Sequence, residues 1–385
     1  MMKEMLRFRA VTGFLVALAA AIAIWASCAV YDTSLLVTAD AGDAAPNDAA
    51  PEGGCVHAFV PERPTSDGPT LLDGGELTFA VSRFDFAPNV VDGGRLRGYD
   101  LDRNCTCPGP PSCKSPRQQC DDDAGRDNVG GLQLDNFAKF ADSFTPGKIN
   151  TRLASGLYGL LIRLRNWNGS PNDGTVEAAI YVSKGTPTTG DAGAHVLPKF
   201  DGTDVFTVAQ ASLLGGVAPP YIPLPDAVDT TAYVRDGVLV ASGTNIRVEL
   251  STSDQGLNYL DMSLTNTFVT ATITKTGNGY RLDDGVIAGR WPVRKFLLAL
   301  APQYDPIGGG FLCGDASTYE TVRGVACQAV DISSAIQNDN TNATCDAFST
   351  ALGFAAVPVI FGPVSAGVPL QQPCGPLWSD DCPPQ

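Results

Sequence analysis

The sequence predicts a mainly β protein: an antiparallel β-sandwich, jelly-roll-like, with a small disulfide-tied helical C-terminal subdomain. Three observations lead there. Apolar residues recur at every second position in run after run between residues 77 and 273. Clusters of Gly, Asn, Asp and Pro separate the runs. The pattern then changes to a helical period after Trp291-Pro292, in a region that holds five of the 11 cysteines. Successive side chains of a half-buried strand point to opposite faces, so a period of two is the signature of antiparallel sheets with one face in a core.

Taken in order, the first nine residues carry Lys3, Arg7 and Arg9 against Glu4, and an apolar run from Ala10 to Trp25 follows. A basic start, a short apolar stretch and small residues behind it read as a secretory signal over 1–27. The run is short for a permanent span, which takes about 20 apolar residues, and a signal anchor is the alternative. Ile24-Trp25-Ala26-Ser27-Cys28 resembles the lipobox of bacterial lipoproteins, with Ala26, Ser27 and Cys28 on the pattern and Trp25 off it, where an aliphatic residue is usual. The resemblance implies lipidation of Cys28, a membrane partner through that lipid and, with Ala29 next, the outer membrane as destination. It covers about 28 residues and implies location alone, in a class of lipoproteins without an assigned activity. Cleavage after Ala29 is the alternative, with Ser27 and Ala29 as its small residues.

Residues 28–54 are Ala-, Asp-, Pro- and Gly-rich. Such a stretch buries too little apolar area to order itself and reads as a flexible tether. The sandwich is expected over 55–291. Its alternating runs are Leu77/Phe79/Val81, Leu160/Ile162/Leu164, Val176/Ala178/Ile180/Val182, Ile246/Val248/Leu250, Leu260/Met262/Leu264 and Val269/Ala271/Ile273. Asp73-Gly74-Gly75, Asn168-Gly169-Ser170-Pro171 and Thr276-Gly277-Asn278-Gly279 mark turns between them.

The C-terminal part, 292–385, is expected to be a helical cap with a Pro-rich tail. Val293, Phe296, Leu297 and Leu300 follow Pro292 at helical spacing. Ser317 and Glu320 form a capping-box pattern for a second helix facing Tyr319, Val322 and Ala326 inward. Cys345, Phe348 and Leu352 suggest a third, closed by Gly353.

With Cys28 lipidated, ten cysteines remain for disulfides: Cys55, Cys105, Cys107, Cys113 and Cys120 early, and Cys313, Cys327, Cys345, Cys374 and Cys382 late. Each group is odd, so full pairing requires at least one bridge between them. The C-x-C-x5-C-x6-C spacing of residues 105–120 lacks the paired knuckles of structural zinc sites, and disulfides fit an exported chain.

A net charge of −15 with 26 basic against 41 acidic residues excludes a phosphate-neutralising surface, so nucleic acid is not an expected partner. The only two histidines, His57 and His195, stand beside no motif that would orient a general base. The sequence holds no nucleophile elbow, no phosphate loop and no dinucleotide fingerprint. The acidic loop over 100–128 is the main candidate site. Asp100 and Asp102 precede the cysteine cluster, and Asp121, Asp123, Asp127 and Asn128 follow it, so a bridge such as Cys105–Cys120 would fold the two acidic segments together. Oxygen donors in that number suit calcium; a solvated acidic loop held by disulfides is the alternative. The opening looks like that of a calcium loop, but Cys105 and Pro111 occupy the glycine and glutamate positions, which excludes an EF-hand. A second candidate is the loop around Trp167, Asn168 and Asp173, an aromatic platform among polar groups that could hold a glycan; a hairpin turn with its indole folded on the sheet edge is the alternative.

The expected function is therefore non-catalytic: a binding or structural module of the cell envelope, with calcium stiffening its acidic loop and an envelope glycan or protein as partner. A secreted glycan-active hydrolase using an Asp/Glu pair is the alternative.

Overall fold

A computed structural model describes residues 56–72, 75–86, 96–107, 109–189, 194–216, 225–254, 256, 258–277, 279–305, 309–366, 374 and 380–382. The expected export signal, Cys28, the expected linker and Cys55 lie outside the described residues.

Twelve strands and four α-helices order the described residues. The strands are β1 (Leu77–Asp85), β2 (Gly159–Arg165), β3 (Asp173–Ser183), β4 (Thr188–Thr189), β5 (Ala194–His195), β6 (Val205–Ala209), β7 (Ala227–Arg235), β8 (Val238–Ser251), β9 (Tyr259–Thr276), β10 (Gly279–Pro292), β11 (Ala347–Pro358) and β12 (Ile360–Ser365). The helices are α1 (Val129–Phe140), α2 (Pro146–Ala154), α3 (Val293–Leu300) and α4 (Ala316–Gln328).

The protein is mainly β and antiparallel, as expected, but the sheet does not split into two packed layers. Eight strands form a closed barrel in the order β1-β11-β10-β9-β8-β7-β3-β2. Apart from the seam between β1 and β11, each barrel strand pairs with its neighbour along the chain, which makes the topology up-and-down rather than jelly-roll. Closure depends on a long-range pairing, Phe79 opposite Pro358 and Phe84 opposite Phe354. Closing the ring leaves this sheet without edge strands. Period two reports which face of a strand is buried; it is silent on which strand lies beside it.

Inside the barrel lie Phe79, Leu160, Ile162, Leu164, Val248, Leu250, Leu260, Met262, Leu264 and Leu352, all in one apolar cluster. Bulges keep the long strands facing this core. Ala241 and Ile246 on β8, like Leu264 and Val269 on β9, are of opposite parity yet all buried. The register slips between Ser242 and Ile246, where Gly243 (φ 78°) and Asn266 (φ 50°) take left-handed backbone. The runs at 260–264 and 269–273 are thus one strand.

The C-terminal part does not stand apart as a helical subdomain. The expected third helix around Cys345, Phe348 and Leu352 is strand β11, which completes the barrel. Its residues Ala347–Phe354 are buried on both faces, with Phe348 and Leu352 inside and Ala347 and Ala351 outside, against Leu101 and Ile332. A strand buried on both sides shows no alternation, and its apolar run mimics a helix. Helix α3 begins after Pro292 as expected. Helix α4 is capped by Asp315, whose side chain accepts from Ser317 N and Thr318 N, so the Ser317 capping box is not used. Helices α1, α3 and α4 share the barrel's apolar cluster; Phe296 meets Trp291 and Phe348 edge-on at 5.0 and 5.2 Å. On the outside, the parallel pair β6–β12 covers Leu161, Ala179 and Tyr181 with Phe206 and Val208.

Among the described residues the disulfides are Cys107–Cys120, Cys113–Cys345, Cys313–Cys374 and Cys327–Cys382, and Cys105 is also disulfide-bonded. Cys113–Cys345 joins the early and late groups across 232 residues, the kind of link that their odd numbers require. The acidic segments are folded together by Cys107–Cys120 rather than by Cys105–Cys120. The four disulfides among the described residues suggest an extracytoplasmic, oxidising compartment. No helix among the described residues is long and apolar enough to cross a membrane.

Candidate functional site

The acidic loop lies against the outer wall of the barrel at β10 and β11, and buried Arg290 holds it there. Its guanidinium donates to Leu101 O (2.7 Å) and Ser333 O (2.6 Å) and pairs with both oxygens of Asp339. The cysteines fasten the other flank: Lys114 N donates to Ala343 O and Cys345 N to Lys114 O (2.8 and 2.9 Å), beside the Cys113–Cys345 bridge.

This framework brings Asp100, Asp102 and Asp127 together. They are 4, 3 and 4% exposed, and one carboxylate oxygen of each lies within 4.8 Å of the others. Asp100 accepts from Asn104 N (3.2 Å) and contacts His57 Nδ1. Asp102 also accepts from Asn104 N, at 3.0 Å, and Asp127 accepts from Leu101 N at 2.9 Å. Asp121 joins their edge, with Thr106 N donating to it at 2.6 Å.

Four acidic groups so close lower one another's acidity. Burial pushes the Asp102 carboxyl up to about 7, with repulsion from Asp121 and Asp100 adding to it. Burial likewise lifts Asp121 to about 6, with repulsion from Asp100. Asp127 is raised well above the carboxylate range by burial and by Asp102, Asp121 and Asp331. Asp331 is pushed up to about 7, first by burial, with Asp102 and Asp121 contributing. Neighbouring Asp122 behaves oppositely. Against its partial burial, hydrogen bonds from Arg126 N and Ala124 N and the Arg126 guanidinium hold its carboxyl below the ordinary value.

Of the six residues expected to ligate metal, the structure brings together Asp100, Asp102 and Asp127, with Asp121 adjoining. Asp123 is exposed and outside the group. Asn128 is not a ligand either: its Oδ1 caps helix α1 through Gly131 N (3.0 Å) and accepts from Ala351 N (2.8 Å). Sequence reasoning missed Asp331 and the contact of His57 with Asp100, because both come from distant segments. The donor set fits a hard divalent cation. Calcium binds oxygen at 2.3–2.6 Å, so two oxygens on one ion lie no more than about 5 Å apart, and this trio meets that limit.

The Trp167 loop is not a glycan platform. Trp167 is 3% exposed, sits edge-on to Tyr280 at 4.9 Å and donates its indole N–H to Ser170 O. Asn168 and Asp173 are occupied within the loop: Asp173 accepts from Asn168 N (2.7 Å) and Thr175 N (3.1 Å), and Asn168 Oδ1 from Ser170 N (2.7 Å). The loop is a turn whose aromatic residue joins the barrel core. His195 Nδ1 meets Thr186 O at 2.7 Å, a structural contact.

One Glu/Asp pair does stand face to face on neighbouring strands, Glu249 on β8 opposite Asp261 on β9. Arg247 bridges the two at 2.9 and 3.0 Å, Lys184 pairs with Glu249, and Glu249 is 3% exposed. Both carboxylates are thus taken up in ion pairs.

The fold and site together define an eight-stranded up-and-down β-barrel with a cystine-tied acidic loop on its wall. No family model, no curated protein and no solved structure matches this chain.

Proposed function

We propose that this is a non-catalytic module of the cell envelope, tethered through a lipid on Cys28 and directed to the outer membrane, whose acidic loop is closed by a bound calcium ion. The observation that carries the metal is the buried trio Asp100, Asp102 and Asp127 with oxygens within 4.8 Å. Three buried carboxylates at that spacing are stable only if protons or a cation neutralise them. Oxygen-only donors select a hard ion, and calcium completes its six to eight ligands with carbonyls and water. The cation would tie the segment around Asp100–Asp102 to Asp127, just before helix α1, and so stiffen the outer face of β10 and β11. Envelope glycan or protein is the proposed binding partner.

Melting the disulfide-intact protein at pH 7.5 with calcium, magnesium or chelator tests the metal. Calcium at 100 times its dissociation constant adds about 2.7 kcal/mol, and Asp102→Asn should abolish the shift. An identical melting temperature with calcium and chelator would refute the cation. Palmitate labelling of the full chain, lost in Cys28→Ser, tests the anchor.

A further inference from the structure

A cleft of about 410 Å3 opens on the outer wall beside the acidic loop. Arg83 and Asp85 of β1, Arg97 and Arg126 of the loop and Asp284 of β10 supply its charges. Arg97 pairs with Asp85, and Arg126 with Asp122 at 3.2 Å. Arg83 and Asp284 are exposed, and neither forms an ion pair with the other or with any other described residue.

Both sit at backbone irregularities. The β1–β11 register slips between Val81 and Arg83, and the β10–β11 register slips between Leu282 and Gly285, with Asp284 at φ 48°. Bulges re-aim side chains and recur beside functional sites. Strand β11 runs between the two. Arg83 lies opposite Ala355 and Gly285 opposite Phe354, so the two charges flank it two strand spacings apart, about 10 Å between backbones. Leu96, Val286 and Phe354 add apolar lining.

An unused cation and an unused anion on opposite sides of a partly apolar cleft of this size suit a ligand that carries both charges and an apolar group. We propose that the cleft binds a free α-amino acid, its carboxylate on the Arg83 guanidinium, its ammonium on Asp284 and its side chain against Leu96, Val286 and Phe354. Arginine is suited to carboxylates by its planar fork of donors. The cleft borders the acidic trio through Tyr99 and Arg126, but Arg83 and Asp284 are not members of it, and the test is run in chelator, so its outcome does not depend on the cation.

The common L-amino acids are screened by thermal shift, and the best is measured by calorimetry beside its N-acetyl and amide derivatives, which lack the ammonium and the carboxylate. The expected result is saturable binding of the free amino acid, with both derivatives at least about tenfold weaker, the loss of one charge-assisted contact. Arg83→Ala and Asp284→Asn should each weaken binding about tenfold or more without lowering the melting temperature of the free protein; asparagine tolerates the left-handed backbone at 284. Arg165→Ala, outside the cleft, should leave binding unchanged. The proposal is overturned if no amino acid binds, if the N-acetyl derivative binds as tightly as the parent, or if the Arg83 and Asp284 variants bind normally.

Discussion

The loop at 96–128 and the loop at 166–174 are both rich in aspartate and asparagine, and both stood out as candidate sites, yet they differ in what their carboxylates face. Asp173 faces backbone N–H groups at 2.7 and 3.1 Å, beside a tryptophan that the barrel core has absorbed. Asp100, Asp102 and Asp127 face one another. An acidic side chain surrounded by donors is turn chemistry, complete as it stands. Acidic side chains turned on each other in a buried setting are incomplete until a proton or a cation arrives. Composition is alike in the two loops; the direction of the carboxylates separates them.

The largest effect expected concerns how the acidic loop is held. Cys113→Ser with Cys345→Ser opens a closure of 232 residues and should cost about 5 kcal/mol in the chain-entropy account, read from denaturant midpoints. The Trp167 loop has no such tie and depends on packing. Trp167→Ala should cost about 3–5 kcal/mol; a protein that lost stability by less than 1 kcal/mol would mean that the indole is not in the core.

The sharpest contrast is in pH dependence. A carboxyl whose folded pKa is raised makes ionisation unfavourable for the fold. The penalty is absent below about pH 4, where both states are protonated, and grows as pH rises through about 6 to 7, the values of Asp121 and Asp102. In chelator the protein should therefore lose a few kcal/mol of stability between pH 5 and pH 8. Calcium should remove most of that slope, since it neutralises the ionised form. A chelated protein equally stable at both ends would show that the trio carries no such repulsion.

The smallest effect separates the loops by sign. In chelator at pH 8, above the value of about 7 to which Asp102 is pushed, Asp102→Asn should raise the melting temperature by removing a repelled charge. Asp173→Asn should lower stability by about 1–2 kcal/mol, because one of its two N–H donors loses a partner. Destabilisation by both substitutions to the same extent would erase the distinction between the loops.

Much of this molecule was legible in advance. The strands at 77–85, 159–165 and 173–183 follow from alternation, helix α3 from Pro292 and the apolar spacing behind it, and a bridge between the cysteine groups from parity. Asp100, Asp102, Asp121 and Asp127 were readable as a set because the cysteines had to fold their two segments together. Asp331 was not, since it lies more than 200 residues along the chain and enters only through barrel closure. Asp123 and Asn128 belonged to the set by spacing alone; one points to solvent and the other caps a helix. Strand β11 was misread as a helix because both its faces are buried and it shows neither period clearly.

Sequence by itself determined the β character, the buried faces, the turns, the acidic balance and the disulfide-forming compartment. These follow from local rules, the alternation of side chains, the backbone demands of Gly and Pro and the count of cysteines. Tertiary structure alone decided that the sheet closes into a barrel, that β11 seals it against β1, that Arg290 holds the acidic loop to the wall, and which carboxylates face each other. Each of those depends on contacts between residues far apart in the chain. Such contacts are set by whole-molecule packing, and no local pattern records them.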